Sequence, residues 1–207
     1  MDSIETLINL ASNSLCKGAI NLDKDCVVYK ALWELLLCNK DGFYAYEKAL
    51  LVRPFSNQSS VLGIVEWNND SRWKGLYNIN LTEHIFFSEN IFGEQYSLTT
   101  EGVYFFDPET GDFEKFSDNL EEWAFRIVED PDFHAGHQIA HEWQNIHGIL
   151  SFGERLGPIT PFVVGGGFEV NNLMRFKDIE LMKFRAQISN QIFELPDGAE
   201  INFQITG

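Results

Sequence analysis

Four of the chain's five histidines fall in one short run, HAGHQIAHEWQNIHG, residues 134–148. On a helix, His137 and His141 stand four residues apart, so both imidazoles share a face and could hold one metal ion. His134 sits one turn earlier and Glu142 lies beside His141. A metal-dependent hydrolase centred on His137 and His141 is therefore one reading of the chain. The pattern departs from the metalloprotease motif, where a glutamate directly follows the first histidine. No cysteine is near, and a third ligand would have to come from Asp132, Glu142 or a distant residue. A solvated polar helix face accounts for the same residues without a metal, so no metal ligand and no cofactor is assigned.

Other constellations carry less chemistry. VVGGGFEVNN places glycines before a helix start, where phosphate can bind, but it lacks the Lys-Ser/Thr of a phosphate-binding loop and the dinucleotide spacing. It reads as a turn. Asp107, Glu109 and Asp112 surround DPETGD, yet a calcium loop needs more oxygen ligands in a longer regular spacing; hairpin chemistry explains the Asp, Pro and Gly. There is no Gly-x-Ser-x-Gly anywhere, and the cysteines have no evident electropositive setting. No catalytic residue is assigned, and the expectation is a non-enzyme.

The totals bound what remains. A chain of 207 residues can bury an ample core, and its 44 % hydrophobic content is that of a globular protein. Thirty-one acids against fifteen bases give a net charge of -16. Such a surface repels phosphate backbones and anionic lipids, which argues against nucleic-acid and membrane partners. It favours a basic protein partner, because opposite fields steer encounter. Solubility alone also explains acidity. Cys16, Cys26 and Cys38 match no zinc spacing, and an odd count argues for reduced thiols. MDSIETLINL lacks the basic and apolar regions of a signal peptide, so a cytoplasmic location is expected.

Periodicity places the elements. Ile4, Leu7, Ile8, Ala11 and Leu15 predict one helix, and Val28, Ala31, Leu32, Leu35 and Leu36, after Asp23 and Asp25, a second. Gly42 to Phe55 reads as strand, half-turn and strand, Val61 to Trp67 as a strand, and Ser71 to Tyr77 as a short helix. In FFSENIFGEQYSL, Ile85 to Ser88 and Glu94 to Thr99 are strands joined by a turn over Asn90 to Gly93. Phe86, Phe87, Ile91 and Phe92 are expected in the core, each worth about 1.5–3 kcal/mol when buried. Val103 to Phe106 and Phe113 to Phe116 flank the DPETGD hairpin. Asp118 is the expected cap of a helix over Leu120 to Glu129. Beyond Pro131, residues 134–147 predict a polar helix, Arg155 to Val164 runs extended, Asn171 to Leu195 is helical, and Ile201 to Ile205 closes as a strand. The order is that of an α+β fold: a single antiparallel sheet of about five to six strands with flanking helices. Residues 1–130 form that domain, and residues 131–207 a strand-helix-strand extension packed on it.

The succession GFYAYEKAL, VLGIVEWNN, FFSENIFGEQYSL, DPETG and LEEWAFRIVED resembles the SUKH superfamily, which includes the fungal Smi/Knr regulators and many bacterial immunity proteins. The most specific element is the aromatic, acidic, Phe-Gly run from Phe86 to Gly93. The resemblance covers residues 42–130; residues 150–207 look like an extension of longer members. It implies an α+β domain and a non-enzymatic task, the binding and neutralising of a secreted polymorphic toxin, often a nuclease. A regulatory or scaffold module of the Smi/Knr type is the alternative it leaves. The family supplies no catalytic residues to carry over.

On this reading exposed acids present a negative face to a basic toxin. Glu89, Glu94, Asp107, Asp112, Glu121 and Glu122 are the candidate contacts. Trp73 is a candidate aromatic anchor, as are Trp67 and Trp123, which also suit a core.

Overall fold

The computed structural model describes residues 2–16, 27–55, 60–193, 195–196 and 198–199. Six short strands follow one another in space as in sequence: β1 (Phe43–Ala45), β2 (Leu50–Val52), β3 (Ile85–Glu89), β4 (Gln95–Thr99), β5 (Gly102–Phe106) and β6 (Phe113–Ser117). Every neighbouring pair is antiparallel. Turn chemistry sets the order. After β3, the Asn90 carboxamide oxygen accepts the Phe92 and Glu94 N–H groups at 3.0 and 3.1 Å, and Gly93 takes a φ of 75°. That Asx turn reverses the chain where the sequence predicts it. The β1–β2 connection is less comfortable. Tyr46, Glu47 and Lys48 all have positive φ, 50°, 53° and 72°, in a region that side chains with a Cβ avoid.

Helices cover both faces of the sheet. On one lie α1 (Ser3–Leu10) and α4 (Leu120–Glu129), whose Leu7, Trp123 and Ile127 are buried against Phe87, Tyr96 and Val103. On the other, Trp67, Trp73, Met182 and Ala186 pack on Phe86 and Phe106. Adjacent residues Phe86 and Phe87 thus point into opposite cores, as period-two strands require. The expected burial of Phe86, Phe87, Ile91 and Phe92 is observed.

After α4 come α5 (Pro131–Ala135) and α6 (His137–His147), then β7 (Glu154–Pro158) paired with β8 (Leu173–Lys177) as a second sheet, and α7 (Asp178–Ile192). This C-terminal part is tied down at several points. Trp143 Nε1 donates to the Leu173 carbonyl at 3.1 Å, and the Leu156 N–H donates to the Ile91 carbonyl at 2.9 Å. Met182 and Ala186 of α7 provide part of the second core.

Several local expectations change. The first helix ends at Leu10, short of Ala11 and Leu15, and Arg155 to Val164 is extended only as far as Pro158, with a 3-10 turn over Phe162–Val164. Val61 to Trp67 is not a strand: Ile64–Trp67 forms a short helix, α3, because Ile64 and Trp67, three residues apart, are both fully buried. Asn171 to Leu195 is not one helix; its first part pairs with Glu154–Pro158, which satisfies its backbone groups as a strand. The polar helix of 134–147 is broken at Gly136, φ 71°, where a Cβ would stand 2.6 Å from Ile91 and 2.7 Å from Phe92. Asn119, not Asp118, caps α4. Its side chain accepts the Glu122 N–H at 2.9 Å, while the Glu122 carboxylate accepts the Asp118 N–H at 3.0 Å. The second helix runs Val27–Leu32 and continues as a π-helical stretch, Trp33–Leu37. Its acidic start at Asp23 and Asp25, Cys26, and the strand over Ile201 to Ile205 lie outside the described residues. Among the described residues no helix is long and apolar enough to cross a membrane.

Candidate functional site

A cleft of about 550 Å³ opens between the sheet and the segments that follow it. Strand alternation supplies its floor: Tyr96 of β4, Phe105 of β5 and Phe116 of β6 meet edge to face, with centroids 5.6 Å (Tyr96–Phe105) and 5.0 Å (Tyr96–Phe116) apart. One wall is α5. The Tyr96 hydroxyl donates to the His134 carbonyl at 2.8 Å, and the His134 ring sits edge-on to Phe116 at 5.0 Å. The other wall is Phe168, from the glycine-rich turn; its ring stacks on Phe162 at 3.9 Å and meets Phe92 edge to face at 5.0 Å. Gly136 matters here. By turning the chain between α5 and α6 it sets Phe133 at the mouth and Ile139 on the rim.

Glu94 is the ionisable group at the inner end. Its carboxylate accepts a hydrogen bond from Asn90 Nδ2 at 2.6 Å. Burial pushes its pKa up to about 7. Arg185 behind it and the Asn90 amide oppose that shift; Asp107 and Glu109 add to it. Arg185 is fully buried, with Nε 3.5 Å from Glu109. The one guanidinium thus acts on two carboxyls, Glu94 and Glu109. At the mouth, the cations are engaged by acids outside the cleft: Lys115 by Asp118 at 2.6 Å and Arg126 by Glu122 at 2.8 Å. Burial lowers the His134 pKa. Glu114 and Asp132 also border the opening.

The surface beside the cleft is apolar. Phe133 is 80 % exposed and Ile146 68 %, and a second hollow past Phe168 and Ile139 reaches Ile146 and Val170. Large side chains left in water side by side commonly mark a contact surface.

The acids singled out from sequence do not form one face. Glu94 lines the cleft. Asp107 and Asp112 sit at the β5–β6 hairpin, Asp112 exposed and Asp107 half-buried, the latter accepting the Glu109 N–H at 2.8 Å. Glu121 accepts the Ser3 and Ile4 N–H groups at the start of α1, and Glu122 holds Arg126. Two candidates are corrected. Glu89 is fully buried between Arg53 (2.8 Å) and Arg155 (2.7 Å), and Trp73 is fully buried among Trp67, Tyr77, Phe86 and Phe106. Neither can touch a partner. Trp67 and Trp123 are core residues too.

The histidines separate. His134 belongs to α5 and faces the cleft, whereas His137 Nδ1 lies 3.7 Å from Asp132, and His141 is held between Glu47 (2.8 Å) and Asn145 (2.9 Å). Among the described residues no group of three His, Cys, Asp or Glu side chains comes together as a metal-holding set. Sequence reasoning missed Phe133, Phe168, His134 and Asn90 as cleft residues; the one local signal was an aromatic directly after three glycines.

No family model matches the chain, and no curated protein matches it. Among solved structures it is similar to the crystal structure of Atu4351 from Agrobacterium tumefaciens, with a TM-score of 0.50 and 11 % identity, covering 88 % of each chain. At that identity the likeness is one of fold alone.

Proposed function

We propose that the protein is a non-enzymatic binding module that captures a basic protein and neutralises it by occlusion, in the manner of an immunity protein against a secreted toxin. One observation carries the reading: the exposed Phe133 and Phe168 stand at a concave cleft lined by aromatic rings. Aromatics of this kind become the energetic centre of an interface once a partner excludes water from them. The net charge of -16 supplies the complementary long-range field. The resemblance of residues 42–130 to the SUKH superfamily supports the choice of a toxin as partner.

The test is co-expression of the tagged chain with each secreted toxin encoded in the same genome, followed by pull-down and assay of the toxin. A stoichiometric complex with loss of toxin activity is expected, with an association rate that falls steeply from low to high salt. If every candidate toxin stays unbound and active, or if the isolated chain turns over a substrate, the reading fails.

A further inference from the structure

The cleft has a composition more specific than a general contact surface. Its floor and walls are aromatic, from Tyr96, Phe105, Phe116 and Phe168. Its inner end is a carboxylate, Glu94, with one hydrogen bond from Asn90 and, behind it, an Arg185 guanidinium that Asp107 and Glu109 partly offset. Aromatic faces carry negative quadrupoles, so rings around a carboxylate form a site for an organic cation. An anion is less well served: Lys115 and Arg126 at the opening are paired with Asp118 and Glu122, the Arg126 guanidinium lies over the Phe116 ring 5.4 Å from its centroid, and burial lowers the His134 pKa. A neutral apolar group would desolvate the Glu94 carboxyl further without giving it a new partner.

We propose that this cleft receives an arginine or lysine side chain presented by a protein partner, its charge meeting Glu94 and its stem lying between Tyr96 and Phe168. The occupant is chosen by charge complementarity. This rests on the protein-capture reading above and names the part of the surface that does the recognising. Guanidinium fits the site best, since its plane can stack on a ring while its edge donates to the carboxylate.

The experiment is an NMR titration of the whole chain with N-acetyl-arginine methylamide and, separately, with the equivalent citrulline amide, which has the same shape and no charge. Saturable shifts of the Asn90, Glu94, Phe105 and Phe168 amides are expected with the arginine probe only. Glu94→Gln should weaken that binding by about tenfold or more. Phe168→Ala, a change at a half-exposed ring, should weaken it severalfold without disturbing the fold. Equal binding of the citrulline probe, shifts confined to other regions, or undiminished binding to both variants would each overturn the proposal. The outcomes separate the two readings. A toxin captured by a chain that ignores the arginine probe leaves the capture reading standing without the cation site. An arginine probe bound by a chain that captures no toxin does the reverse.

Discussion

The Arg53 guanidinium lies over the Trp67 indole, its central carbon 3.3 Å from the ring centroid, and its Nη2 donates to both Glu89 (2.8 Å) and Asp178 (2.9 Å). Arg155 closes the set through the other Glu89 oxygen, and Gln95 links it to the Trp67 N–H. Two cations and two anions are thereby held in the interior, joining the residue after β2 to β3, β7 and α7. Burial opposes charge on Glu89, but the two guanidiniums outweigh it and hold its carboxyl below the usual range. Glu89→Gln leaves one positive charge uncompensated, and a loss of about 3–5 kcal/mol is expected in urea denaturation. A loss below about 1 kcal/mol would show that water reaches the cluster.

Glu94 behaves in the opposite sense. Its folded pKa of about 7 lies above the ordinary 4.5, so the folded chain holds this proton more tightly than the unfolded chain does. The sign follows: as pH rises from about 4.5 to 7, ionisation of this group lowers stability, and the cost is then constant. Glu94→Gln should therefore raise the melting temperature at pH 8, by the equivalent of about 1–3 kcal/mol. The advantage should vanish near pH 4. Parallel melting curves of both proteins across pH 4–8 test it, and a constant difference would contradict the assignment.

Gly136 combines a left-handed backbone with a close approach to Ile91 and Phe92. Gly136→Ala should cost at least about 2 kcal/mol. The tips of α5, including Phe133 and His134, should show the largest increase in amide exchange, since this turn sets their place at the cleft. An alanine variant with unchanged exchange there would mean that the turn is not needed to position them.

The three left-handed residues of the β1–β2 turn store strain that one glycine can release. Glu47 is the suitable site, because its side chain is half-exposed and its pair with His141 is worth little in water. Glu47→Gly should raise stability by about 0.5 kcal/mol, whereas His141→Ala should be neutral within about the same amount. If Glu47→Gly destabilises the chain, the His141 contact matters more than the backbone.

The sheet was legible because its signals are local: alternation, Asn90 to Gly93, and DPETGD each act within a few residues. The short helix Ile64–Trp67 was not, because a β-branched apolar run resembles a strand until its burial in one core is known. Likewise Leu173 and Phe176 stand three apart and mimic helical spacing, while pairing with Glu154–Pro158 decides for a strand. The cleft is assembled from segments scattered between Asn90 and Phe168, and an exposed aromatic such as Phe133 carries no mark in its own neighbourhood. Glu89 misled for the same reason. Its cationic partners are 36 and 66 residues away in sequence.

The distance from Arg53 to Asp178 along the chain is 125 residues, and that separation constrains how the protein is made. While the ribosome is still adding α7, the strands already emitted leave Trp67, Trp73, Phe86 and Phe106 without the Met182 and Ala186 that cover them. Until α7 has been added, the nascent chain thus carries an oily face, and this helix acts as its lid.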